Sequence, residues 1–377
     1  MKVDTLQFEA ERWRHVEQGI QCKEHCQLVL VFGESDLLKT EAYFHEIRAL
    51  YPQALVVGAS SSGNILGAEI SASAIVGTAV QLEKGTVRIS HVDLVDSPDV
   101  QDLSSELVRQ LPAAGLKHIV VFSDGLGVNG SELVKGINKI ARGVAVTGGM
   151  AGDGERFRET WVIANAPARQ ACIVALGFYG DELVISTGCQ GGWSPFGAER
   201  RVTRSAGNVL YELDGKPALD LYRRYLGEYA KDLPLSGMRF PLNVRAPGES
   251  NTVIRTLLAI DDEQKSITFA GDIPQCSIAR LMKPDLDRLI DGAGDAAAQI
   301  KTLNEQQALG LIVSCVGRRV VMRQVVEEEL DAVAQILGSN VHLTGFYSYG
   351  EIAPFSDRPG ECQLHNQTMT LTAFYES

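Results

Sequence analysis

Short apolar runs that end in turns of small residues constrain the fold of this chain more than any other feature. The run 28–32 ends at Gly33, and apolar residues then follow at helical spacing over 37–51. A second run, 54–58, opens directly into the Ser- and Gly-rich turn 59–63. Apolar runs of this length bounded by turn residues are typical of buried strands. The order strand, helix, strand therefore predicts the start of an α/β layer.

Antiparallel pairing is predicted beside this unit. Strand-like runs at 75–82 and 86–92 flank Glu83-Lys84-Gly85, a spacing typical of a hairpin. After a composition shift near 214–217, a helix pattern begins and the mixture of strands and helices is repeated to the end of the chain.

We therefore predict an α+β protein with two tandem α/β-layered domains whose sheets are mixed and partly antiparallel. The expected division is a lead-in segment 1–25, an N-terminal domain 26–216 and a C-terminal domain 217–377. Chain length supports two cores, because single cores rarely grow beyond about 250–300 residues.

One internal echo is visible. The segments 58–63 and 345–350 both place glycine, serine and glycine at the same spacing after an apolar strand. Two domains of common ancestry would produce such an echo. The shared chemistry of strand-to-turn exits would also produce it, and this is the commoner cause for so few small residues.

Charge and cysteine content exclude several classes of protein. The chain has 35 Lys and Arg against 47 Asp and Glu, a net charge of −12, and no basic run that could neutralise a phosphate backbone. We expect no nucleic-acid partner. No stretch approaches the 18 apolar residues of a membrane span, and the N-terminus lacks the apolar core of a signal peptide, so we expect a cytoplasmic protein without membrane contact. Seven scattered cysteines are typical of reduced thiols.

The glycine-rich turns do not match catalytic spacings. The turn 148–154 never forms G-x-G-x-x-G, and 58–62 misses G-x-S-x-G by one residue. The sequence also lacks H-E-x-x-H and C-x-x-C, the spacings that hold zinc. We therefore predict no catalytic motif and no metal site, and glycines that serve turns with positive φ.

Aromatic and acidic side chains converge after the apolar run 341–346. Tyr347, Tyr349 and Glu351 supply two rings and a carboxylate at a strand end, where rigid scaffolds present ligand contacts. A core edge lined by tyrosines fits the same residues equally well. Nearby, His365 and Asn366 stand at the head of the last strand, and a histidine there is suited to hold a cofactor, although a core histidine with a backbone partner is commoner.

Several segments together resemble the FIST family, sensory domains found in bacterial signal-transduction proteins. They lie in both halves of the chain and keep their order: 57–63, 122–126, 148–154, 192–197, 211–218, 315–319, 345–352 and 365–368. The resemblance implies a ligand-sensing module rather than an enzyme. We expect ligand contacts from the turns that carry it, namely Ser60, Ser61, Asp124, Asp153, Tyr347, Tyr349, Glu351 and Asn366.

The resemblance leaves the ligand open. Stand-alone members are similar to nitric-oxide-sensing FIST proteins, which bind haem and regulate histidine kinases or cyclic-di-GMP enzymes. The first hypothesis is therefore a haem-binding nitric oxide sensor that acts on a separate signalling protein such as a histidine kinase. Its haem would be non-covalent, because C-x-x-C-H is absent, with His365 or His342 as axial ligand.

Two other hypotheses stay open. One is a FIST sensor that binds a small polar metabolite, such as an amino acid, without haem. The other is a hydrolase with Cys315 or Ser61 as an unrecognised nucleophile. Nothing in the sequence decides whether the chain forms a homo-oligomer.

Overall fold

The computed structural model describes residues 1–71, 74–94, 99–301 and 306–377. Up to residue 93 the strands are β1 (Lys2–Glu9), β2 (Arg12–Gln18), β3 (Leu28–Gly33), β4 (Leu55–Ser60), β5 (Asn64–Leu66), β6 (Glu69–Ser71), β7 (Ile75–Gln81) and β8 (Thr86–Asp93), with helices α1 (Ser35–Leu38) and α2 (Ala42–Leu50). From 100 to 190 the elements are α3 (Val100–Arg109), β9 (Leu116–Ser123), α4 (Gly130–Ile140), β10 (Ala145–Met150), β11 (Val162–Ala164), β12 (Cys172–Tyr179) and β13 (Leu183–Gln190).

The remaining elements follow in two groups. Between 194 and 283 lie β14 (Ser194–Pro195), β15 (Arg200–Ala206), β16 (Val209–Leu213), β17 (Lys216–Pro217), α5 (Ala218–Leu226), β18 (Leu242–Arg245), β19 (Val253–Arg255), β20 (Leu257–Asp261), β21 (Ser266–Phe269) and β22 (Ile278–Lys283). The last group is α6 (Leu286–Ala298), β23 (Ala308–Cys315), α7 (Val316–Met322), α8 (Glu327–Leu337), β24 (Val341–Ser348), β25 (Gly350–Pro354), β26 (Cys362–His365) and β27 (Met369–Glu376).

Three six-stranded sheets share one central pattern. Each contains two parallel strands joined through helices, and the first of the two also pairs with an antiparallel strand. The parallel pairs are β3 with β4, β9 with β10, and β23 with β24. We call these strand, helix, strand units module 1 (28–60), module 2 (116–150) and module 3 (308–348). Crossover helices between parallel strands cover the outer faces, as such pairs require.

Each module passes its next strand to the sheet of another module. β5, which follows module 1, pairs with β24 of module 3. β11, which follows module 2, pairs with β4 of module 1, and β25, which follows module 3, pairs with β10 of module 2. This cyclic exchange arranges the modules around one axis with pseudo-threefold symmetry.

Main-chain hydrogen bonds close the ring at equivalent positions. They are Ser62 N to Tyr347 O at 2.8 Å, Gly152 N to Ser60 O at 2.9 Å and Tyr349 N to Met150 O at 3.1 Å. Two residues before each acceptor stands a glycine, Gly345, Gly58 or Gly148 respectively. A Cβ on any of them would lie 1.7–1.9 Å from a carbonyl oxygen of the paired strand, so only glycine allows this close approach.

Aromatic rings fill the axis between the modules. Phe32, Phe122 and Phe346 are buried and contact one another in all three pairs, with ring centroids 4.9–5.8 Å apart. These distances are within the range in which aromatic pairs stabilise a core beyond area burial alone. The three modules therefore share one hydrophobic core.

The segment 194–283 forms a fourth sheet with its own core, in which Tyr222 of α5 packs against Phe269 of β21. This sheet lies against the modules beside α4 and β26. Lys135 pairs with Asp272 at 2.8 Å, and buried Arg255 donates to Leu364 O at 3.0 Å. The fourth sheet thereby becomes one wall of the cavity described below.

The α+β class and the mixed sheets predicted from the sequence are confirmed. The prediction that the strands at 75–82 and 86–92 pair with each other as a hairpin is wrong. Both strands exist, but β7 pairs with β1 and β3, whereas β8 pairs with β12 in another sheet. The division at 216/217 stays a prediction, and strands from both sides of it share sheets. Among the described helices, none has the length and apolar character needed to cross a bilayer.

Candidate functional site

A cavity of about 280 Å³ lies between module 2, module 3 and the fourth sheet. Its lining is mostly apolar, with contributions from Met150, Phe157 and Leu364. Leu126 and Leu258 also line it and are 43% and 41% exposed, so they lie at its mouth. None of the described lining residues carries a charged side chain.

The loop 124–130 that forms one wall is held by Asp124. Its Oδ1 accepts hydrogen bonds from the backbone N–H groups of Leu126 and Gly127 at 3.0 and 2.5 Å, and Oδ2 accepts from Thr160 Oγ1 at 2.9 Å. A carboxylate that holds a turn in this way has few lone pairs left for a ligand. Asn129 then caps α4 by accepting from Ser131 N at 2.9 Å.

A second wall is formed by Tyr349 and Phe157, whose rings stack at 4.5 Å. The Tyr349 hydroxyl donates to Asp153, which also accepts from the backbone N–H groups of Phe157, Arg158 and Glu159. These hydrogen bonds hold the pKa of Asp153 below its usual value against the opposing effect of burial. Asp153 thus positions the aromatic wall from behind and stays ionised.

Polar groups in the lining are few and fixed. Asn366 Oδ1 accepts from Thr256 N at 3.3 Å, and its Nδ2 donates to His365 O at 2.9 Å. Thr256 is 7% exposed, and within the described part of the chain its Oγ1 has no hydrogen-bond partner. A buried hydroxyl without a partner carries a desolvation penalty that a ligand would relieve.

The third wall is the start of α7, where Cys315, Val316 and Gly317 line the cavity. Directly behind Cys315 lies the fully buried Glu351. Its carboxylate accepts from Ser348 Oγ at 2.7 Å, from Thr368 Oγ1 at 3.0 Å and from Thr368 N at 3.2 Å. Burial raises the pKa of Glu351 to about 7 even though these hydrogen bonds act in the opposite direction.

A second, more polar cavity of about 400 Å³ lies on the other side of Glu351. Cys189, Thr368 and His365 line it. His365 Nε2 lies 3.1 Å from Ala353 O, and burial lowers the pKa of this histidine to about 4, so its ring is neutral at pH 7. Thr368 contacts both this cavity and Glu351.

The structure separates the residues that the sequence grouped. Tyr349 and Asn366 line the first cavity, and Glu351, Asp124 and Asp153 stand behind its walls. Ser60 and Ser61 are buried near the axis, where their hydroxyls accept from Trp161 N and Gly63 N. Tyr347 points the other way, and its hydroxyl donates to Glu329 at 2.7 Å. Thr256 of the fourth sheet also lines the first cavity, and no local sequence pattern predicts its place there.

Neither candidate haem ligand faces the first cavity. His342 lies near the surface, where Nδ1 is 2.8 Å from Glu17 and Nε2 contacts Gln307. His365 faces the second cavity, whose lining is rich in amide and backbone groups. The described lining of the first cavity contains no histidine, so its residues do not fit a histidine-ligated haem. The assignment of haem stays a prediction.

An α+β fold with a mostly apolar, partly open cavity and a few fixed polar groups defines a protein of the small-molecule-binding class. The chain belongs to the FIST family. The FIST N domain matches residues 27–216, and the FIST C domain matches residues 218–354. FIST domains are small-ligand-sensing domains of signal-transduction proteins.

Curated relatives of this chain are themselves uncharacterized. An uncharacterized protein of Mycobacterium tuberculosis, found in two strains, is 26% identical over 258 residues, which is 65% of this chain and 64% of that protein. An uncharacterized protein of Methanocaldococcus jannaschii is 28% identical over 233 residues, 55% of this chain and 45% of that protein. The match thus spans less than two thirds of each relative.

Two solved structures align over most of the chain at low similarity. A cyanuric acid hydrolase from A. caulinodans aligns with 94% of this chain and 91% of its own, at a TM-score of 0.34 and 7% identity. A chorismatase aligns with 99% of this chain and 98% of its own, also at 0.34 and 7%. Similarity of this degree assigns neither activity to this chain.

Proposed function

We propose that this protein is a non-catalytic sensor that binds a small, uncharged organic ligand in the first cavity and signals through a separate protein. One observation carries the proposal: the described lining is mostly apolar and uncharged, yet it contains the unpartnered hydroxyl of Thr256. An ionised ligand would lose its hydration there without gaining a partner. A neutral ligand with one or two hydrogen-bonding groups fits best.

This lining favours a neutral ligand over the other candidates. An amino acid carries a carboxylate and an ammonium group, and the described lining presents no side chain of opposite charge to either. A histidine-ligated haem finds no axial histidine among these same residues. Both remain outcomes of the experiment below.

The position of the cavity indicates how ligand binding would be passed on to a signalling partner. Module 2 and the fourth sheet contribute opposite walls, and their contacts include the surface pair Lys135 and Asp272 and the hydrogen bond from Asp272 N to Ser131 Oγ at 2.9 Å. A ligand that prefers one arrangement of these walls shifts the population toward it. The exposed face of the fourth sheet would then present the change to a signalling partner.

Thermal-shift measurements test the proposal. Neutral amides, alcohols and carbonyl compounds should include ligands that raise the unfolding midpoint, because a ligand that binds only the folded state stabilises it by mass action. Ala270→Trp fills the cavity from the fourth sheet and should abolish the shift, and Thr256→Val should weaken it while keeping the shape. Ala113→Trp, on an exposed loop, is the matched control.

Three results would overturn the proposal. They are a response to charged amino acids alone, a neutral-ligand shift that persists in Ala270→Trp, and a haem absorption band in the purified protein that moves with nitric oxide. The last would restore the haem hypothesis, with replacement of His365 and His342 identifying the axial ligand.

A further inference from the structure

The second cavity shares no described lining residue with the first, and three parts of the chain enclose it. Residues 189–193 after β13 form one wall, residues between 243 and 254 of the fourth sheet form another, and 354–356 with His365 and Thr368 form the third. Its volume of about 400 Å³ is within the range of about 300–1,000 Å³ that is usual for small-molecule sites. A ligand in the first cavity leaves this space empty.

The lining of the second cavity is polar but uncharged. Among its described residues there is no Asp, Glu, Lys or Arg, and the ring of His365 is neutral. An ion would lose its hydration there without meeting an opposite charge, so the occupant should be neutral. The polarity comes from side-chain amides and hydroxyls, namely those of Gln190, Asn243, Asn251, Thr252, Gln299, Ser356 and Thr368.

Asn243 of β18 contributes a buried acceptor without a partner. Its backbone is in register with Ile254 on one side and Arg280 on the other, so the sheet fixes where the side chain begins. Within the described part of the chain, its Oδ1 is buried and receives no hydrogen bond. A buried acceptor in this state carries a desolvation penalty that a donor from a ligand would relieve.

Two further lining residues have their donor occupied and an acceptor left over. Asn251 Nδ2 donates to both carboxylate oxygens of Asp357, at 2.8 and 3.1 Å, which leaves its Oδ1 as the available atom. His365 Nε2 lies 3.1 Å from Ala353 O, which can only accept, so Nε2 carries the ring proton. Nδ1 of this neutral ring is therefore an acceptor.

The hydrogen bonds of Thr368 and Gln299 leave no further donor. Thr368 Oγ1 donates to Glu351 at 3.0 Å, so it is left to accept from a ligand. Gln299 Oε1 accepts from Cys189 N at 3.2 Å and Nε2 donates to Cys189 O at 3.4 Å, so both ends of this amide are used. The groups of this cavity that these hydrogen bonds leave for a ligand are all acceptors: Asn243 Oδ1, Asn251 Oδ1, His365 Nδ1 and Thr368 Oγ1.

A set of acceptors selects a ligand by the donors that it brings. A simple amide or alcohol supplies one or two donors, fewer than this cavity can use. A compound with hydroxyls on neighbouring carbons supplies one donor per carbon without any charge, and its oxygens can accept from the exposed hydroxyls of Thr252 and Ser356. Apolar side chains suited to its C–H surface also line the cavity, namely those of Ile254, Met282 and Phe355.

We propose that the second cavity is a separate binding site for a neutral polyhydroxylated compound, either a cyclic sugar or an acyclic polyol. Its hydroxyls donate to Asn243, Asn251 and His365, and its carbon skeleton lies against the apolar part of the lining. The site goes beyond the proposed function, because the first cavity takes a different and more apolar ligand.

Saturation-transfer NMR titrations of the full-length chain test the proposal. Glucose, ribose and myo-inositol are the cyclic probes, sorbitol is the acyclic probe, and putrescine is a cationic donor for comparison. Direct binding is measured because polyols also stabilise folded proteins by exclusion from their surface. At least one of the four polyhydroxylated probes should bind saturably and putrescine should not, and the preferred probe tells a cyclic sugar from an acyclic polyol.

Four variants assign the signal to a cavity. Thr252→Trp closes the second cavity from an exposed position and should abolish binding, whereas Ser250→Trp, exposed on the same loop and outside the described lining, is the matched control. Asn243→Leu should weaken binding by about 10-fold through loss of one hydrogen bond. It should also raise the unfolding midpoint of the free protein, because a buried acceptor without a partner is removed. Ala270→Trp fills only the first cavity and should bind the probe as the parent does.

Absence of saturable binding by all four polyhydroxylated probes would refute the proposal. Binding that persists in Thr252→Trp, or that is lost in Ala270→Trp, would equally refute it, because the probe would then occupy another place. Preference for putrescine would show that the acceptors hold a cation. Neutral ligands of the first cavity should still raise the unfolding midpoint of Thr252→Trp, so failure of either site leaves the other proposal standing.

Discussion

Arg318 and Glu329 form an ion pair that is completely buried, and breaking it should destabilise module 3 strongly. Both side chains are 0% exposed, and Arg318 is the largest fully buried side chain in the described structure. Glu329 Oε2 accepts from Arg318 Nε and Nη2 at 2.8 and 2.7 Å, and Oε1 accepts from Ser314 and Tyr347 hydroxyls at 3.0 and 2.7 Å. Every oxygen of the carboxylate is thus used.

The expected magnitude follows from what each substitution leaves behind. Glu329→Gln keeps the size of the side chain but leaves the Arg318 guanidinium without its counter-charge, which costs about 3–5 kcal/mol for a buried pair. Arg318→Met leaves the Glu329 charge unpaired and strands the carbonyl of Leu289, which accepts from Nη2 at 2.7 Å, so a similar loss is expected. The double variant removes both charges and should lose less than the sum by roughly 2–3 kcal/mol.

Thermal unfolding of the four proteins, followed by calorimetry, measures this cycle. For domains of 150–250 residues a loss of 1 kcal/mol lowers the midpoint by about 2–4 °C, so each single variant should lie about 6–20 °C below the parent. A single variant within 2 °C of the parent, or strictly additive losses, would refute the reasoning, because either result means that the two charges do not depend on each other.

Three further predictions concern the axis, the aromatic wall and acid stability. Gly148→Ala places a Cβ 1.9 Å from Val121 O and should cost at least about 3 kcal/mol in urea unfolding, whereas Ala at Gly143, which has positive φ but open space, should cost about 1 kcal/mol. Asp153→Asn removes a carboxylate that accepts three backbone N–H groups and should cost about 1.5–3 kcal/mol at pH 7. The difference should shrink in acid, because the stability that a lowered carboxyl pKa contributes is full above the unfolded pKa and is lost as the pH falls through the folded pKa. Burial lowers the pKa of His118 to about 3, so the unfolded chain binds a proton from about pH 6.5 downward whereas the folded chain does not. Between these pH values the free energy of unfolding should fall by up to about 1.4 kcal/mol for each unit that the pH is lowered. His118→Gln should remove this slope, and an equal slope in the variant would contradict the assignment.

The strands and helices of the modules could be predicted because their burial repeats locally. The run 28–32 became β3, and the glycine that follows it ends the strand. Pairing was not predictable even where the connection is short. β7 and β8 are separated by a four-residue connection typical of hairpins, yet this connection leads from one sheet to the next, because β7 is paired on both edges by β1 and β3 and β8 pairs with β12.

The cavity could be predicted only in part for the same reason. Tyr349 and Asn366 stood out as aromatic and polar groups at strand ends, and both line it. Thr256 comes from the fourth sheet, 93 residues before Tyr349 and 110 before Asn366. No local pattern marks a threonine that will lack a partner. Residues of this kind are identified by their three-dimensional surroundings and leave no periodic signal.

The echo between segments 58–63 and 345–350 favours turn chemistry as its cause. The pseudo-threefold axis explains why the sequence shows so little of the threefold repeat of the modules. The three hydrogen bonds that close the ring use only main-chain atoms, so they place no demand on the side chains at Ser60, Met150 and Tyr347. Glycine alone is required, because any Cβ would strike the neighbouring strand. The symmetric scaffold therefore leaves the strand ends free to differ. Asp124 at the end of β9 holds the cavity loop, whereas Cys315 at the equivalent end of β23 lines the cavity. Because one ring of main-chain contacts supports strand ends with different roles, the cavity between modules 2 and 3 has no counterpart that symmetry alone would dictate.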